Sequence, residues 1–387
     1  MGVISAIGNT VAENHVSLQQ GKCGIGKASF IDSKYAASLP FGEVKMSTEA
    51  LKYQLNANIS GITRTSLLAL HAFDEAINDA QLNDTGLSSY DTALVGATTV
   101  GGMCLTDELY DDANKKSDGS EYLSSYDCAS VNIFLQEYYQ IKGIINTINT
   151  ACSSAANAIM YGARLMHHGH AKRSIVGGFD SLAKFTINGF NALHILSDEI
   201  CQPFDENRKG LNLGEGAAFL VLEREEDLNG KKVYAELTGY GNANDAYHSS
   251  SLSDEGNGPY LAMEAALKQA GLEPEAIDFI NAHGTGTGNN DLSESTAMTR
   301  LFKMIPSFAS TKSNIGHTLG ASGAIEAIFS ILNIAQNELY PHLNFKNAIE
   351  ATRLIPMLSY EKKEVRHVMS NSFGFGGNCS SLIFSKV

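Results

Sequence analysis

Two segments of the chain share a pattern that strongly restricts the fold: a short apolar strand, a turn of small residues and a helix with few charges. In the first, IKGIINTINT leads into the turn ACSS and a helix that continues to Met166. In the second, SFASTKSNIGH precedes the helix GASGAIEAIFSILNIA. A helix without a charged face is buried, because no side of it favours water. The repetition is typical of a duplicated half rich in strands and helices, although it does not decide a fold by itself.

Length and composition indicate a large globular protein with two subdomains. The chain has 387 residues, 43% of them hydrophobic and 36 of them glycine, so it can bury a substantial core. Glycine suits tight turns and close approach of the backbone to a ligand, which favours an enzyme built of strand, loop and helix units. The charged loop at 225–232 separates two apolar strands. We therefore predict two halves, residues 1–228 and 229–387.

Charge and cysteine usage argue against several classes of protein. The formal net charge of −14 does not suit a nucleic-acid binder, which needs cations to neutralise phosphates. The six cysteines form no CxxC pair, so neither a zinc ribbon nor a disulfide framework is indicated. The N-terminus lacks the basic segment of a signal peptide, and no run approaches eighteen apolar residues. We expect a cytoplasmic protein without membrane association.

Cys152 opens the first of the two buried helices. The N–H groups and partial positive charge at a helix N-terminus stabilise a thiolate, the form of cysteine that attacks a carbonyl carbon. Free cysteine is also among the most buried residue types, so a packing role is the plain alternative. The choice depends on which other reactive groups reach Cys152.

Three further loops carry groups that can take part in catalysis. NAHGTGTGNND places His283 at a strand end, and STKSNIGHTLGASGAIE places His317 just before a buried helix. Together with the glycine turn NSFGFGGN, these segments also carry Thr285, Thr287, Lys312, Glu326, Phe373 and Phe375. One cysteine and two histidines, each at the mouth of a strand, form a composition suited to nucleophilic catalysis.

Each of these motifs also has a structural interpretation. A lone histidine is commonly buried and hydrogen-bonded without a catalytic role. HGTGTG resembles a phosphate loop but lacks the spacing of nucleotide sites, and GFGG can be a plain hairpin turn. The cluster of His167, His168 and His170 is expected to be solvated or to interact with the helix dipole, because no Cys or acidic partner is spaced to complete a zinc site. The acidic run is expected to be a solvated face: Asp107, Glu108, Asp111 and Asp112.

Four motifs in a fixed order make the sequence recognisable. The chain resembles the elongating β-ketoacyl-acyl carrier protein synthases, of the thiolase superfamily, through TACSS, NAHGT, the K-x4-H of Lys312 and His317, and NSFGFGG. The resemblance runs from GVISAIG to SLIF, almost the whole chain. It implies an α/β fold, the thiolase-like five-layered αβαβα sandwich of two pseudo-duplicated halves, active as a dimer.

The resemblance also implies a role for each marked residue. Cys152 would be the acyl-accepting nucleophile, and His283 and His317 would be the active-site histidines. The remaining roles would be Lys312 as the neighbouring lysine, Glu326 as its partner, Phe375 as a gate that shares the oxyanion hole with Cys152, Phe373 beside it, and Thr285 and Thr287 as ligands of the phosphopantetheine arm.

The implied reaction is a decarboxylative Claisen condensation in fatty acid or specialised chain elongation. An acyl group on Cys152 would be attacked by the enolate of malonyl-acyl carrier protein, giving 3-oxoacyl-acyl carrier protein. Neither a metal nor a cofactor is implied, since the phosphopantetheine arm arrives on the carrier protein. The implied partners are acyl carrier protein and a second subunit, either an identical copy or a related ketosynthase-like chain.

Three departures from the family pattern favour a specialised pathway, such as polyene or polyketide-like synthesis. A β-strand normally precedes the equivalent of GVISAIG, so either the start of the chain is misassigned or the first sheet lacks a strand, which would expose an edge. Residues 115–130 are more polar than the family's acyl-pocket region, and His194 stands where an arginine usually faces the carrier protein. An acidic carrier also needs a local basic patch on this acidic chain, for which the candidates are Arg64, Lys115, Lys116, Arg208 and Lys209.

Two other functions have to be weighed. A chain-length-factor-like subunit would pair with an active synthase, but such subunits characteristically lose the cysteine that this chain retains. A degradative thiolase relies on a second cysteine as base, and Cys379 lies next to the GFGG turn. The two-histidine pattern favours condensation over both.

Overall fold

The computed structural model describes residues 1–228 and 230–387. Its strands are β1 (Gly2–Ile4), β2 (Gly26–Lys27), β3 (Pro40–Phe41), β4 (Thr92–Ala97), β5 (Ile145–Ile148), β6 (Arg173–Asp180), β7 (Gly216–Glu223), β8 (Glu236–Asn244), β9 (Phe279–Asn281), β10 (Ser307–Ala309), β11 (Glu338–Leu339), β12 (Glu361–Lys362), β13 (His367–Phe373) and β14 (Asn378–Ser385). Its helices are α1 (Val11–Gln19), α2 (Thr48–Gln54), α3 (Arg64–Asp79), α4 (Asp84–Leu87), α5 (Thr106–Lys115), α6 (Ser130–Tyr139), α7 (Ser154–His167), α8 (Lys184–Ala192), α9 (Asn257–Ala270), α10 (Gly288–Leu301), α11 (Lys312–Ile315) and α12 (Ser322–Gln336).

Two five-stranded sheets form the centre of the fold, and their strands repeat one pattern of directions. In the first sheet, ordered β5-β4-β6-β7-β1, the first two pairs are parallel and the last two antiparallel. The second sheet, ordered β10-β9-β13-β14-β8, has the same succession of parallel and antiparallel pairs. The strands also enter both sheets in the same chain order. This confirms the two duplicated halves.

Helices fill the space between the sheets and cover their outer faces. Between the sheets, α7 packs on β4 and β6, α12 packs on β13 and β7, and the two helices contact each other. On the outside, α3 covers β1 and β7 of the first sheet. On the second sheet, α9 covers β8 and β14, and α10 packs beside α9. The layers are those of the predicted αβαβα sandwich.

The central helix α12 carries few charged residues and is buried along most of its length. All residues from Ser322 to Ile334 are buried. The stretch Leu319–Gln336 is long and apolar enough on average to cross a membrane, although polar residues such as Glu326 and Asn333 interrupt its apolar run. In the structure 89% of that stretch is buried between the sheets, which provide the apolar surroundings that its composition requires.

The first sheet contains the strand that the sequence was expected to lack. Gly2, Val3 and Ile4 form β1 and pair antiparallel with Phe219, Ala218 and Ala217 of β7. The prediction of an incomplete sheet was therefore wrong. Three residues are too few to show the alternation that identifies a strand in a sequence.

Two other expectations concern loops. The excursion expected between residues 105 and 126 lies on the surface, but much of it is the helix α5, which has no buried residue. Asp107, Glu108 and Asp111 of α5 are exposed, as predicted, whereas the Asp112 side chain is only 14% exposed. Asp111 and Asp112 pair with Lys115 and Lys116 four residues later. The boundary predicted between 228 and 229 falls at Asn229, which lies outside the described residues.

Candidate active site

The nucleophile turn, residues 149–153, connects β5 to α7. Ala151 has a φ of 54°, a left-handed conformation that costs energy in a residue with a Cβ. The Ser154 N–H and hydroxyl both donate to the Ala151 carbonyl, and the Ser154 hydroxyl accepts from the Thr150 N–H. These bonds hold the strained turn and place Cys152, which is 6% exposed, immediately before the helix.

The glycine turn, residues 374–377, packs directly against the nucleophile turn. A Cβ on Gly374 would lie 2.8 Å from the Thr150 carbonyl oxygen and 3.2 Å from the Cys152 nitrogen, so a larger residue would push the turns apart. This close approach brings the Phe375 N–H to the Cys152 sulfur, beside the N–H of Cys152 itself. Two backbone N–H groups therefore lie beside the nucleophilic sulfur, where they can form an oxyanion hole for a carbonyl that the sulfur attacks.

His283 follows β9 and is fixed at both its backbone and its ring. The N–H groups of His283 and Gly284 donate to the two carboxylate oxygens of Glu294 at 2.9 and 2.8 Å. The Nδ1 atom of His283 lies 3.1 Å from the Nζ of Lys312, which also contacts the buried Glu326. An ammonium group only donates, so Nδ1 accepts and the proton of the neutral ring is on Nε2.

His317 reaches the same protonation pattern by a different contact. Its Nδ1 accepts a hydrogen bond from the Leu319 N–H at 3.1 Å, and the Ser322 hydroxyl lies at the same distance. A backbone N–H only donates, so the neutral ring carries its proton on Nε2. That Nε2 is buried and has no hydrogen-bond partner within the described residues. His317 therefore offers an unused donor to the cavity that it lines.

The sulfur and the two imidazoles come together from the two halves of the chain. The reactive atoms of Cys152, His283 and His317 lie within 4.8 Å of one another, and the two rings are 5.4 Å apart. Such a trio can hold a metal ion, but a metal needs a free lone pair on each imidazole. The two Nε2–H tautomers present protons instead, so this set of groups suits an anionic oxygen better than a cation.

Burial controls the protonation of all three groups. It raises the pKa of the Cys152 thiol to about 11, against the opposing influence of Lys312 and of the Phe375 and Cys152 N–H groups. It lowers the pKa of His283 and His317 well below their ordinary value, and the Lys312 cation adds to that shift. The expectation of a thiolate at the helix N-terminus was therefore wrong for the resting protein, which holds a thiol and two neutral imidazoles at pH 7.

A cavity of about 290 Å³ leads from the surface to these residues. Its lining includes most of the predicted site residues: Cys152, His283, Thr285, Thr287, His317, Phe373 and Phe375. Lys312 and Glu326 lie behind His283 and do not line it. The hydroxyls of Thr285 and Thr287 are 2.9 Å apart, and the Phe375 ring stacks on Phe190 with centroids 5.8 Å apart.

Sequence analysis missed several residues that form or support the cavity. Leu211 and residues 250–252 line it but belong to no motif. Glu294 holds the His283 loop, and Asp291 accepts the N–H groups of Thr285 and Gly286. The three-residue spacing of Asp291 and Glu294 could have revealed them, because it puts two acids on one face of the helix that follows NAHGT.

For two of the five candidate cations, the predicted role in docking a carrier protein is wrong. Arg64 is bound to the buried Glu215 at 2.6 Å. Arg208 is 8% exposed and donates to the carbonyls of Thr287 and Gly288, so it supports the threonine loop. Both arginines are used inside the protein and cannot form a docking patch. Lys115, Lys116 and Lys209 are exposed and each pairs with a neighbouring acid.

Other residues singled out in the sequence lie away from the reactive atoms. Cys379 is fully buried, donates to the Gly377 carbonyl and does not line the cavity, so its position does not suit a catalytic base. The histidines at 167, 168 and 170 are exposed at the end of α7, as predicted. His194 is exposed between Leu193 and Ile195, two residues of the cavity mouth.

Comparison with known proteins decides the family. The family profile of the beta-ketoacyl synthase N-terminal domain matches residues 1–228, and that of the C-terminal domain matches residues 234–346. The chain belongs to the β-ketoacyl synthases. This synthase is 33% identical to 3-oxoacyl-[acyl-carrier-protein] synthase 2 of Synechocystis, over all of this chain and 96% of the relative.

Solved structures of ketosynthases share the fold of this β-ketoacyl synthase. A chain of the ishigamide ketosynthase/chain length factor superposes with a TM-score of 0.93 at 27% identity, covering 100% of this chain and 97% of that one. A chain of the complex of the ketosynthase ApeO with its chain length factor ApeC, from Xenorhabdus doucetiae, gives a TM-score of 0.86 at 30% identity, covering 100% of this chain and 96% of that one.

Proposed function

We propose that this β-ketoacyl synthase catalyses decarboxylative Claisen condensation of an acyl group on Cys152 with malonyl-acyl carrier protein, giving 3-oxoacyl-acyl carrier protein. The observation that carries the proposal is the convergence of one thiol and two Nε2–H donors on a single cavity. Relatives named 3-oxoacyl-acyl carrier protein synthases support it. The acyl chain would be an intermediate in the synthesis of a fatty acid or of a polyketide-like product.

The first half-reaction loads Cys152. The sulfur attacks the carbonyl of an acyl thioester and forms a new C–S bond. The developing oxyanion accepts hydrogen bonds from the Cys152 and Phe375 N–H groups, which are preorganised by the packing of the two turns. The thioester C–S bond then breaks, and the carrier thiol leaves with the proton of Cys152. Since the resting thiol has a raised pKa, sulfur attack and proton loss are coupled.

The second half-reaction uses both histidines. Loss of CO2 from the malonyl group breaks a C–C bond and leaves its electron pair in an enolate with an anionic oxygen. His283 and His317 donate Nε2–H to that oxygen, and neutral imidazoles suffice because decarboxylation, not proton abstraction, makes the carbanion. The enolate carbon attacks the acyl carbonyl, a C–C bond forms, and the Cys152 sulfur leaves as a thiolate that takes a proton from water to restore the resting thiol.

The remaining groups would supply binding. Thr285 and Thr287 line the cavity with hydroxyls that can hydrogen-bond the amides of a phosphopantetheine arm. This arm is covalently part of the carrier protein, so the proposal needs no separate cofactor. The proposal also places the protein in the cytoplasm, where it would meet its carrier protein.

A second subunit is part of the proposal. Within the described part of the chain the edge strand β5 pairs with β4 alone. Exposed apolar side chains lie on α6, which contacts β5, and on the 3-10 turn before it, which contacts α6; they include Ile133 and Leu123. Such an edge favours pairing with another chain. That chain would be an identical copy or a ketosynthase-like partner, as in ApeO with ApeC. The alternative that this chain is itself a chain-length factor is less well supported, because its catalytic group is complete.

Two substitutions test the proposal. Cys152→Ala should abolish acyl transfer from acyl carrier protein to the enzyme, detected by intact-protein mass spectrometry. His317→Ala should still be acylated but should release CO2 from malonyl-acyl carrier protein at least about 100-fold more slowly, since it loses an oxyanion donor. An acylated Cys152→Ala protein, or undiminished CO2 release by His317→Ala, would contradict the assigned roles. A panel of carrier proteins with saturated, unsaturated and aryl-primed chains would identify the substrate.

A further inference from the structure

Asp180, the last residue of β6, is a fully buried carboxylate whose oxygens are both saturated with donors. Oδ1 accepts from the Thr98 hydroxyl at 2.6 Å and from the Val100 N–H at 3.1 Å. Oδ2 accepts from the Thr99 N–H at 2.9 Å and from the Gly320 N–H at 2.7 Å. Four donors and no acceptor around one carboxyl group require its ionised form. Burying a charge is costly, so the position needs an explanation beyond packing.

The first three donors belong to the loop 98–100, which touches the nucleophile turn. The Thr99 hydroxyl donates to the carbonyl of Ala151 at 3.3 Å, and the Asn149 side chain donates to the Thr99 carbonyl at 3.2 Å. Ala151 is the residue with left-handed backbone that directly precedes Cys152. The loop therefore supports the strained part of the turn, and Asp180 supports the loop.

The fourth donor belongs to the other half of the chain. Gly320 lies in the single 3-10 turn Leu319–Ala321. The same turn supplies the Leu319 N–H that fixes the proton of His317 on Nε2. Asp180 is thus hydrogen-bonded on one side to the support of Cys152 and on the other to the turn that orients His317.

We propose that Asp180 is a positioning residue that holds the Cys152 turn and the His317 turn in register across the two halves. The proposal rests on the proposed function, in which both residues serve one reaction. Asparagine has the same shape as aspartate, but its amide nitrogen would face N–H or O–H donors in place of an acceptor. Asp180→Asn therefore breaks the link while it removes no volume.

Asp180→Asn can be compared with Glu43→Gln. Glu43 is 1% exposed and accepts the N–H groups of Ser29, Phe30 and Ile31, but it does not line the cavity. In Asp180→Asn, kcat for condensation should fall by on the order of 10- to 100-fold per folded chain, the usual effect of displaced reacting groups, with KM for malonyl-acyl carrier protein nearly unchanged. Glu43→Gln should lose about as much thermal stability as Asp180→Asn but should keep the wild-type kcat.

A milder pair of substitutions covers the case in which Asp180→Asn does not fold. Thr98→Val removes one of the four donors without changing the side-chain shape, and Thr98→Ser keeps the hydroxyl. We expect a lower kcat in Thr98→Val and near-complete rescue in Thr98→Ser at equal KM.

Three outcomes would overturn the inference. They are a wild-type kcat in folded Asp180→Asn, an equal loss of kcat in Glu43→Gln, and equal kcat in the two Thr98 variants. Wild-type protein that neither becomes acylated nor releases CO2 would instead overturn the proposed function itself, so the two failures can be told apart.

Discussion

At the scale of single residues, neighbouring groups determine which atoms of Cys152, His283 and His317 carry protons. Lys312 fixes the proton of His283 on Nε2, and the Leu319 N–H does the same for His317. Both rings therefore donate, and their lowered pKa values keep them neutral. Cys152 is different, because burial keeps its proton on sulfur until a thioester is attacked.

The raised pKa of Cys152 predicts how its alkylation depends on pH. Only the thiolate reacts with iodoacetamide, and with a pKa of about 11 the thiolate fraction grows about tenfold for each pH unit below that value. The rate of Cys152 alkylation, followed by peptide mass spectrometry, should therefore rise steadily from pH 7 to pH 9. A plateau below pH 8 would show that the pKa is lowered instead. Cys128, which is partly exposed, provides an internal comparison.

The buried Lys312–Glu326 pair predicts a separation of stability from activity. Lys312→Met leaves the Glu326 carboxylate without its cation and should cost about 3–5 kcal/mol in the free energy of unfolding. The double variant Lys312→Met with Glu326→Gln should recover most of this, because no unpaired charge remains. Condensation should stay slow in both variants, since His283 has lost the donor to Nδ1. Recovery of activity together with stability would show that Lys312 is only structural.

The sequence was sufficient to find the three residues that converge on the cavity but not their electrostatics. Cys152, His283 and His317 belong to motifs that can be recognised in order. Asp180 could not be recognised in the same way, since it binds mainly backbone N–H groups, which every sequence offers. The thiolate was predicted wrongly because the partial charge of a helix terminus can be inferred from a sequence, whereas the depth of burial that outweighs it cannot.

At the scale of elements, the close packing of α7 and α12 determines how the two halves meet. α7 begins just after Cys152, and α12 begins five residues after His317. Their small residues were interpreted from sequence as a sign of burial, which the structure confirms. The order of strands in each sheet could not be predicted, because pairing between distant segments leaves no local pattern. The three-residue strand β1 is the clearest case.

Gly323 of α12 offers a test of this packing. A Cβ at this position would lie 2.6 Å from the backbone nitrogen of Ala156 in α7. Gly323→Val should therefore push the helices apart, lower the free energy of unfolding by about 1–3 kcal/mol and slow condensation by displacing Cys152 from His317. The control is Gly189→Ala in α8, where a Cβ meets no atom within 4 Å and should stabilise the helix slightly. Equal effects of both changes on unfolding and turnover would contradict this view of the contact.

At the scale of the whole molecule, the first sheet ends in an edge that can take another chain. Among the described residues β5 has a neighbour on one side only, and Leu123, in the turn that contacts the adjacent helix α6, is 68% exposed. The high net negative charge also limits where an acidic carrier protein can dock, since Arg64 and Arg208 are used internally. The sequence predicted the need for a local basic patch but not which cations are used internally, because exposure and pairing of charges are properties of the folded chain.

The edge predicts the oligomeric state. The purified protein should have twice the chain mass by light scattering, or should acquire a ketosynthase-like partner when the two are produced together. Leu123→Asp should weaken this association without lowering the thermal stability of the single chain, because the side chain is largely in solvent. Met304→Asp, at an 82% exposed apolar residue of the other half, should leave the mass unchanged. A wild-type monomer that finds no partner would contradict the prediction.

The matching order of strands in the two sheets has a consequence for stoichiometry. The connection from β5 to α7 carries the nucleophile, and the corresponding connection from β10 to α12 carries His317. Two equivalent positions have thus diverged into complementary parts, and they converge on one cavity. Although its two halves share one arrangement of strands, the chain should therefore accept a single acyl group. Titration with an acyl donor should saturate at one equivalent per chain.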